Sequence, residues 1–176
     1  MKLYVIRHGK TNNNDEGVFN GRYDEDINEI GIHQAEIARE ELSKCDIDLI
    51  ICSPMKRTRH TAEIVNTKNI LIIYDDRLME RDTGSLTLQP VESVDRDKYW
   101  NYYETYLDVE PIREVCKRTY AVLDEIKEKY GNKNVLIVTH NGVARTIYSY
   151  FNGIPENGNM LDVGSHKNCE IREYEL

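Results

Sequence analysis

The stretch that decides the fold is residues 3–9, LYVIRHG, close to the start of the chain. Its first four residues form a continuous apolar run that is too short for a helix. Such a run is typical of a parallel strand that is buried on both faces of a sheet. Arg7 and His8 follow at once, so we expect two polar groups at the carboxyl end of a buried strand.

Two later stretches repeat this arrangement of an apolar run followed by polar residues. Residues 49–57 read LIICSPMKR, and residues 135–142 read VLIVTHNG. A fourth apolar run, residues 70–74, reads ILIIY. Runs of this kind that alternate with helical patterns indicate an α/β domain with a mostly parallel central sheet flanked by helices.

Four segments have apolar residues at helical spacing. They are 31–44, the segment from Ser53 and Pro54 to about Val65, 110–130 and 143–151. Ser53 and Pro54 suit a helix start, because serine can cap the first turn and proline loses no hydrogen bond there.

Two segments complete the predicted domain, which spans residues 1–176. Residues 169–174 alternate like an edge strand. Residues 83–108 are polar and rich in tyrosine, and the first part has no clear periodicity, so we expect an insertion there. Its aromatic residues are expected to pack against the core more often than to stack on a ligand.

The overall charge restricts the kinds of partner. The chain has 176 residues, with 23 Lys and Arg against 31 Asp and Glu, which gives a formal net charge of −8. Nucleic acids and anionic membranes both select a cationic face, so the charge argues against these partners. Taken alone, it would also argue against an anionic small molecule.

The cysteines and the apolar runs predict the cellular environment. No two of the four cysteines have the spacing of a zinc site, and Cys52 is interpreted as a small core residue. The first apolar run is too short for a signal peptide, and no run approaches the ~20 residues of a membrane span. We therefore expect a soluble, cytoplasmic protein with free thiols and no metal site.

The polar residues that follow three of the runs are expected to meet, because ligands of open α/β sheets bind at the carboxyl ends of the strands. This convergence would bring together Arg7, His8, Arg57 and His140. Helices that begin near Pro54 and Asn141 could also direct backbone N–H groups there. Each motif alone would more often be a turn, a cap or solvated surface. Their repetition at one end of three strands favours a pocket for phosphate or a similar anion.

Five motifs occur in a fixed order over nearly the whole chain. They are Arg7-His8-Gly9-x-Thr11-x-x-Asn14, Phe19-x-Gly21-Arg22-x-Asp24-x-x-Ile27-x-x-x-Gly31, Ser53-Pro54-x-x-Arg57-x-x-x-Thr61-Ala62, Leu78-x-Glu80-x-x-x-Gly84 and Val138-Thr139-His140-x-Gly142-Val143-x-Arg145. Together they resemble the motifs of the histidine phosphatase superfamily, the phosphoglycerate mutase-like phosphatases.

The resemblance implies that His8 is the nucleophile. Its neutral imidazole would attack phosphorus, and the phosphohistidine would then be hydrolysed. Arg7, Arg57 and an imidazolium at His140 would surround the phosphoryl group and stabilise its charge, for which most kinases use Mg²⁺. No metal and no cofactor are then required.

The resemblance also implies that Glu80 protonates the leaving group and then activates water. On sequence alone, the neighbouring Asp82 is a competing acid. Asn14 and Gly21 match positions where a side chain and the backbone, respectively, approach the phosphate. The further candidates for substrate binding are Thr11, Asn20 and Asn141.

The segment between Glu80 and His140 separates two enzymatic interpretations. Mutases of the family usually carry a longer insertion there with extra basic residues, whereas this one is short and rather acidic. We therefore expect a phosphatase of small phosphorylated metabolites, with the insertion over the active site, and a cofactor-dependent phosphoglycerate mutase as the alternative. A non-enzymatic module that binds phosphorylated ligands would lack a catalytic His or Arg, and none is missing.

The other histidines receive no functional role. They are His33 on the polar part of a helix, His60 at an exposed or capping position, and His166 in a terminal turn.

The distribution of acids changes what the net charge implies. Six of them cluster just after the first motif, namely Asp15, Glu16, Asp24, Glu25, Asp26 and Glu29. We expect a small cationic site inside an acidic shell, which disfavours polyanions. A single phosphate would be affected little, since salt screens exposed charges within ~8 Å.

Overall fold

Five strands form one sheet in the computed structural model, which describes residues 1–176. They are β1 (Lys2–Arg7), β2 (Leu49–Cys52), β3 (Ile72–Tyr74), β4 (Val135–Thr139) and β5 (Ile171–Glu175). Their order across the sheet is β3-β2-β4-β1-β5. The first four run parallel, and β5 is an antiparallel edge strand next to β1. The predicted mostly parallel sheet is therefore confirmed.

The strands that carry the polar motifs are neighbours in the middle of this sheet. Val138 of β4 pairs with Ile6 of β1 on one side and with Cys52 of β2 on the other. Because the three strands run in the same direction, the residues that follow them emerge together at one edge. This register is what brings residues far apart in the chain into one site.

Six helices surround the sheet. They are α1 (Asn12–Glu16), α2 (Glu29–Leu42), α3 (Lys56–Val65), α4 (Arg96–Tyr99), α5 (Ile112–Tyr130) and α6 (Asn141–Asn152). The helices α5 and α6 pack on one face of the sheet against residues such as Val5 and Ile137. The helices α2 and α3 pack on the other face against residues such as Ile6 and Ile50. None of the helices combines the length and the apolar character that a bilayer crossing requires.

The four predicted helices are present with ends shifted by two or three residues at most, and the structure adds short helices. The helix α3 begins at Lys56 rather than at Pro54, with Met55 as an N-cap that makes no side-chain bond. Ser53 does not cap it, because the Ser53 hydroxyl lies 2.8 Å from the ring nitrogen Nε2 of His140. The short helix α1 was not predicted; it is held by a capping box in which Thr11 is the N-cap.

The insertion, residues 83–108, contains two 3₁₀ turns (Gly84–Leu86 and Val91–Ser93) and α4. Its Leu86 and Tyr99 pack with Phe19, from the loop after α1, in a small apolar cluster separate from the two main ones. The insertion is therefore anchored to the loops at the carboxyl edge of the sheet and not to the sheet itself.

The loop after β1 lies in unusually close contact with the first turn of α2. A Cβ on Gly31 would lie 2.6 Å from the backbone nitrogen of Lys10, and one on Gly9 would lie 2.9 Å from the carbonyl carbon of Gly31. No side chain fits between these two backbones. The pair of glycines thus fixes the path of the chain directly after Arg7 and His8.

This contact predicts that Gly31→Ala destabilises the protein, although alanine favours a helix by ~1 kcal/mol over glycine. Overpacking against a fixed backbone should lower the free energy of unfolding by about 1–3 kcal/mol. The control is Glu40→Ala, at an exposed position of the same helix, which should stay within ~0.5 kcal/mol of the wild type. Urea denaturation measures both variants, provided that the dependence of the free energy of unfolding on urea concentration keeps the same slope. An unchanged free energy of unfolding for Gly31→Ala would contradict the close contact.

Candidate active site

A cavity of about 170 Å³ opens at the carboxyl edge of the sheet, under the insertion. Most of the predicted site residues line it, namely Arg7, His8, Asn14, Asn20, Gly21, Arg57, Glu80 and Asn141. Two predicted residues, Thr11 and His140, lie behind the wall of the cavity. The sheet therefore brings together nearly all of the residues that the motifs indicated.

The ring of His8 is buried and held in one tautomer. Its Nδ1 lies 2.7 Å from the carbonyl oxygen of Gly9, which can only accept, so Nδ1 carries the proton. This leaves the lone pair of Nε2 free. Burial, together with the guanidinium groups of Arg57 and Arg7, lowers the pKa of His8 well below its usual value. The imidazole is therefore neutral and nucleophilic at neutral pH.

The guanidinium of Arg7 is held from the C-terminal part of the chain. Its Nη1 donates to the carbonyl of His166 at 2.8 Å, while its Nε is buried without a partner. The backbone N–H of His166 donates to Oδ1 of Asn141 at 3.0 Å. The sequence assigned no functional role to the His166 side chain, and this stays a prediction, but the His166 backbone contacts two residues of the cavity. Sequence reasoning missed it, since a backbone contact needs no particular side chain.

The guanidinium of Arg57 is completely buried and is fixed on three sides. Its Nη1 and Nη2 each donate over 2.9 Å to the carbonyls of Tyr23 and Gly21. Its Nε donates to Nδ1 of His140 at 3.2 Å. Burial lowers the pKa of Arg57 to about 10, so the group still carries its charge at neutral pH. Gly21 has a φ of +48°, which explains the glycine at the position that supplies one of these carbonyls.

His140 is neutral, contrary to the expected imidazolium. Because Arg57 can only donate, Nδ1 of His140 must accept, and the proton sits on Nε2, which donates to the Ser53 hydroxyl at 2.8 Å. Burial and the adjacent Arg57 lower the pKa of His140 well below its usual value. The rings of His140 and His8 are 5.2 Å apart between centroids. Protonation of Nδ1 is opposed because that nitrogen accepts the hydrogen bond from Arg57.

The carboxylate of Glu80 lies at the N-terminus of α6. It accepts from the backbone N–H of Arg81 at 2.9 Å and from that of Gly142 at 3.3 Å. A Cβ on Gly142 would overlap the Glu80 carboxylate. The competing acid, Asp82, instead accepts from the backbone of Gly84 at 2.9 Å and does not line the cavity. The structure thus places at the cavity the acid that the resemblance implied, Glu80, and not its competitor Asp82.

The sequence suggested that two helix N-termini bind an anion, but in the structure each of them donates an N–H to a carboxylate of the chain. At α3, the N–H of Lys56 already donates to a carboxylate oxygen of Asp24 at 2.7 Å. At α6, the N–H of Gly142 faces Glu80. The backbone dipoles therefore orient two acids, and guanidinium groups are the main cationic groups left for a ligand.

The polar residues around α1 support one another. The hydroxyl of Thr11 accepts from the backbone N–H of Asn14 at 3.2 Å and from the side-chain amide of Asn20 at 2.9 Å. Thr11 is thus a supporting residue that does not face the cavity, while Asn14 and Asn20 border it.

Five further residues that sequence reasoning gave no role line the cavity, namely Arg81, Arg96, Tyr99, Trp100 and Arg145. Tyr99 packs in the cluster under the insertion, as expected of this aromatic segment, but Tyr99 and Trp100 also border the cavity, which was not expected. The only available signal was the placement of Arg81 and Arg145 within motifs, and it does not say where the side chains point.

Comparisons with known proteins agree with this geometry. The family model of the histidine phosphatase superfamily (branch 1) matches residues 3–176. Phosphoserine phosphatase 1 of Hydrogenobacter thermophilus is 32% identical over 164 residues, covering 88% of this chain and 77% of that protein. A probable phosphatase of Schizosaccharomyces pombe is 33% identical over 155 residues, covering 86% and 73%.

The solved structure of Bacillus stearothermophilus YhfR superposes with a TM-score of 0.90 at 26% identity, covering 99% of this chain and 91% of that one. The fold, the order of the motifs and their convergence on one cavity thus have a common explanation. The chain belongs to branch 1 of the histidine phosphatase superfamily and is a phosphatase that hydrolyses phosphate monoesters.

Proposed function

We propose that this phosphatase acts on small phosphorylated metabolites through a phosphohistidine on Nε2 of His8. The observation that carries the proposal is the tautomer of His8, since the bond from Nδ1 to Gly9 leaves the Nε2 lone pair as the nucleophile. That lone pair attacks phosphorus, and the bond from phosphorus to the ester oxygen breaks. Water then attacks the phosphohistidine, and the bond from phosphorus to nitrogen breaks.

Arg7 and Arg57 stabilise the charge that develops on the phosphoryl oxygens. Both are held by neutral carbonyl groups, so their positive charge is not neutralised by a protein carboxylate. Guanidinium groups fixed in advance act strongly in a buried site, where they need no reorganisation during the reaction. This arrangement supports a reaction without a metal or other cofactor.

The remaining cavity residues have supporting roles in this proposal. His140 holds Arg57 from behind, through its Nδ1. Asn14, Asn20, Gly21 and Asn141 border the place where the phosphate would lie. Thr11, through its bonds to Asn14 and Asn20, positions two of them.

Glu80 is the proposed acid and base. It donates a proton to the leaving ester oxygen in the first step and takes one from the attacking water in the second. Its two backbone bonds, from Arg81 and Gly142, keep the carboxylate at the cavity without a cationic side chain bound to it.

Hydrolysis is favoured over mutase activity, because the insertion is short and rather acidic, whereas a mutase must shield the phosphohistidine from water. The cavity of about 170 Å³ suits a compact metabolite. Free thiols at all four cysteines support work in a reducing compartment such as the cytoplasm. The net charge of −8 supports a small-molecule partner in preference to nucleic acid.

The first prediction concerns the intermediate. A phosphoryl group trapped from labelled substrate by a rapid quench in base should be released in acid, as expected of phosphohistidine. His8→Asn should trap none, whereas His33→Asn, which changes an exposed histidine on α2, should trap as much as the wild type. An acid-stable label would place the phosphoryl group on an oxygen and contradict the mechanism.

The second prediction concerns the proton donor. Glu80→Gln should slow the phosphorylation of His8 by an alkyl phosphate by about 10²–10³-fold, because a poor leaving group needs a proton. With p-nitrophenyl phosphate the loss should be less than about tenfold. The first burst of alcohol or nitrophenol, measured by rapid mixing, reports this step. Asp82→Asn is the matched control, and equal losses with both substrates would assign the acid role elsewhere.

The third prediction concerns Gly142. Because a Cβ there would displace the Glu80 carboxylate, Gly142→Ala should reproduce the preference for good leaving groups. In a double-mutant cycle, adding Gly142→Ala to Glu80→Gln should have little further effect. Additive losses would show that Gly142 acts independently of Glu80.

A further inference from the structure

The cavity contains more guanidinium groups than a single phosphate requires. Beyond Arg7 and Arg57, it is lined by Arg81, Arg96 and Arg145. Like Arg39, Arg59 and Arg113 elsewhere, none of these three has an Asp or Glu oxygen within 4.0 Å, whereas Arg22, Arg77, Arg118 and Arg172 do. The cavity therefore brings together three guanidinium groups that have no acidic partner.

Arg145 is buried yet retains free donors. Its Nη1 donates to the carbonyls of Met160 and Val163 at 2.6 and 2.8 Å, and its guanidinium lies 4.6 Å from the ring centroid of Trp100. Its Nε is buried with no partner, although the residue is only 4% exposed. A buried donor without an acceptor is unfavourable, and Nη2 of Arg145, which makes no hydrogen bond either, is the donor left for a ligand in the cavity.

Arg96 approaches the same place from the insertion. Arg96 and Arg145 both line the cavity, and the charge of Arg96 contributes, after burial, to the lowering of the pKa of Arg145 to about 10. The acids beside Arg96 are bound elsewhere, since Asp95 pairs with Lys98 at 3.7 Å and Asp97 accepts from Asn159 at 2.9 Å. Two cations that line one cavity, with no acidic partner within 4.0 Å, form a site that an anion stabilises.

Arg81 gives this cluster a rigid base. Its Nε and Nη1 donate to the carbonyls of Glu110 and Tyr99 at 2.6 and 2.7 Å. Its guanidinium also stacks 4.3 Å from the ring centroid of Tyr99 and 5.8 Å from that of Trp100. Arg81 and Arg145 are therefore held in place by backbone acceptors and aromatic rings before any ligand binds.

We propose that Arg96 and Arg145, with Arg81 beside them, form a second anion subsite that binds a carboxylate of the substrate. The substrates would then be phosphate monoesters of short hydroxy acids or hydroxy amino acids. This inference rests on the proposed function, because it takes the phosphate to lie at His8. A guanidinium matches the two oxygens of a carboxylate, and a cavity of about 170 Å³ favours a compact carboxylate over a second phosphate on a larger skeleton.

Two matched pairs of substrates test the subsite. O-phosphoserine differs from O-phosphoethanolamine by a carboxylate, and 3-phosphoglycerate has a carboxylate where glycerol 3-phosphate has a hydroxymethyl group. The wild type should show a kcat/KM at least about tenfold higher for the carboxylate member of at least one pair, as expected for a charge-assisted bond. No preference within either pair would overturn the proposal.

Substitutions then test which residues cause the preference for the carboxylate substrate. Arg96→Gln, at an exposed position that should fold normally, and Arg145→Gln should each reduce the preference by about tenfold or more. Lys98→Gln, on the same short helix but outside the cavity, is the matched control and should leave it unchanged. Should Arg145→Gln unfold, Arg96→Gln decides alone, and an unaltered preference in that variant would overturn the proposal.

A binding measurement tests the carboxylate subsite independently of the proposed hydrolysis. Calorimetry on His8→Asn protein should show weaker binding of glycerol 3-phosphate than of 3-phosphoglycerate, and the difference should shrink when Arg96→Gln is added. Failure of all four substrates and of p-nitrophenyl phosphate to release phosphate would refute the proposed function. Equal affinity for the two ligands would refute the subsite whether or not hydrolysis occurs.

Discussion

The site depends on keeping guanidinium groups buried beside a neutral histidine without carboxylates to neutralise them. A buried charge needs hydrogen bonds to replace its lost water. Here backbone carbonyls supply them: Gly21 and Tyr23 for Arg57, His166 for Arg7, Tyr99 and Glu110 for Arg81, and Met160, Leu161 and Val163 for Arg145. A carbonyl holds the cation without cancelling its charge, so the charge stays available for an anionic substrate.

This choice of acceptor also determines the shape of the site. Each arginine ties one loop to the carboxyl edge of the sheet, so that the loop after α1, the insertion and the C-terminal segment all close around one cavity. The same cations keep His8 neutral, as the proposed nucleophile must be, because burial and two neighbouring guanidinium groups lower its pKa. The net charge of −8 does not oppose this, since acids such as Glu110 and Asp75 pair with arginines outside the cavity.

The second constraint is the absence of a side chain at two glycines. Gly142 makes room for the Glu80 carboxylate at the start of α6, and Gly31 makes room for the loop that follows β1. The first case couples the motif that carries His140 to the proposed acid. The second couples the first helix on one face of the sheet to the strand that presents His8. In both cases a Cβ atom would displace a part of the site that the proposed mechanism needs, either the Glu80 carboxylate or the loop that carries His8.

The sequence by itself determined the α/β class, the buried strands and the residues that follow them, because a strand buried on both faces needs a continuous apolar run. It also identified His8, Arg7, Arg57 and Glu80 through motifs. It did not determine the neutral state of His140, the backbone contacts of His166 or the backbone hydrogen bonds that hold Glu80 at the cavity. These follow from hydrogen bonds between residues 62 to 159 positions apart, in which the backbone is often the partner. Only the tertiary structure could place Arg96 and Arg145 on the same cavity, because the position of Arg96 depends on where the insertion packs.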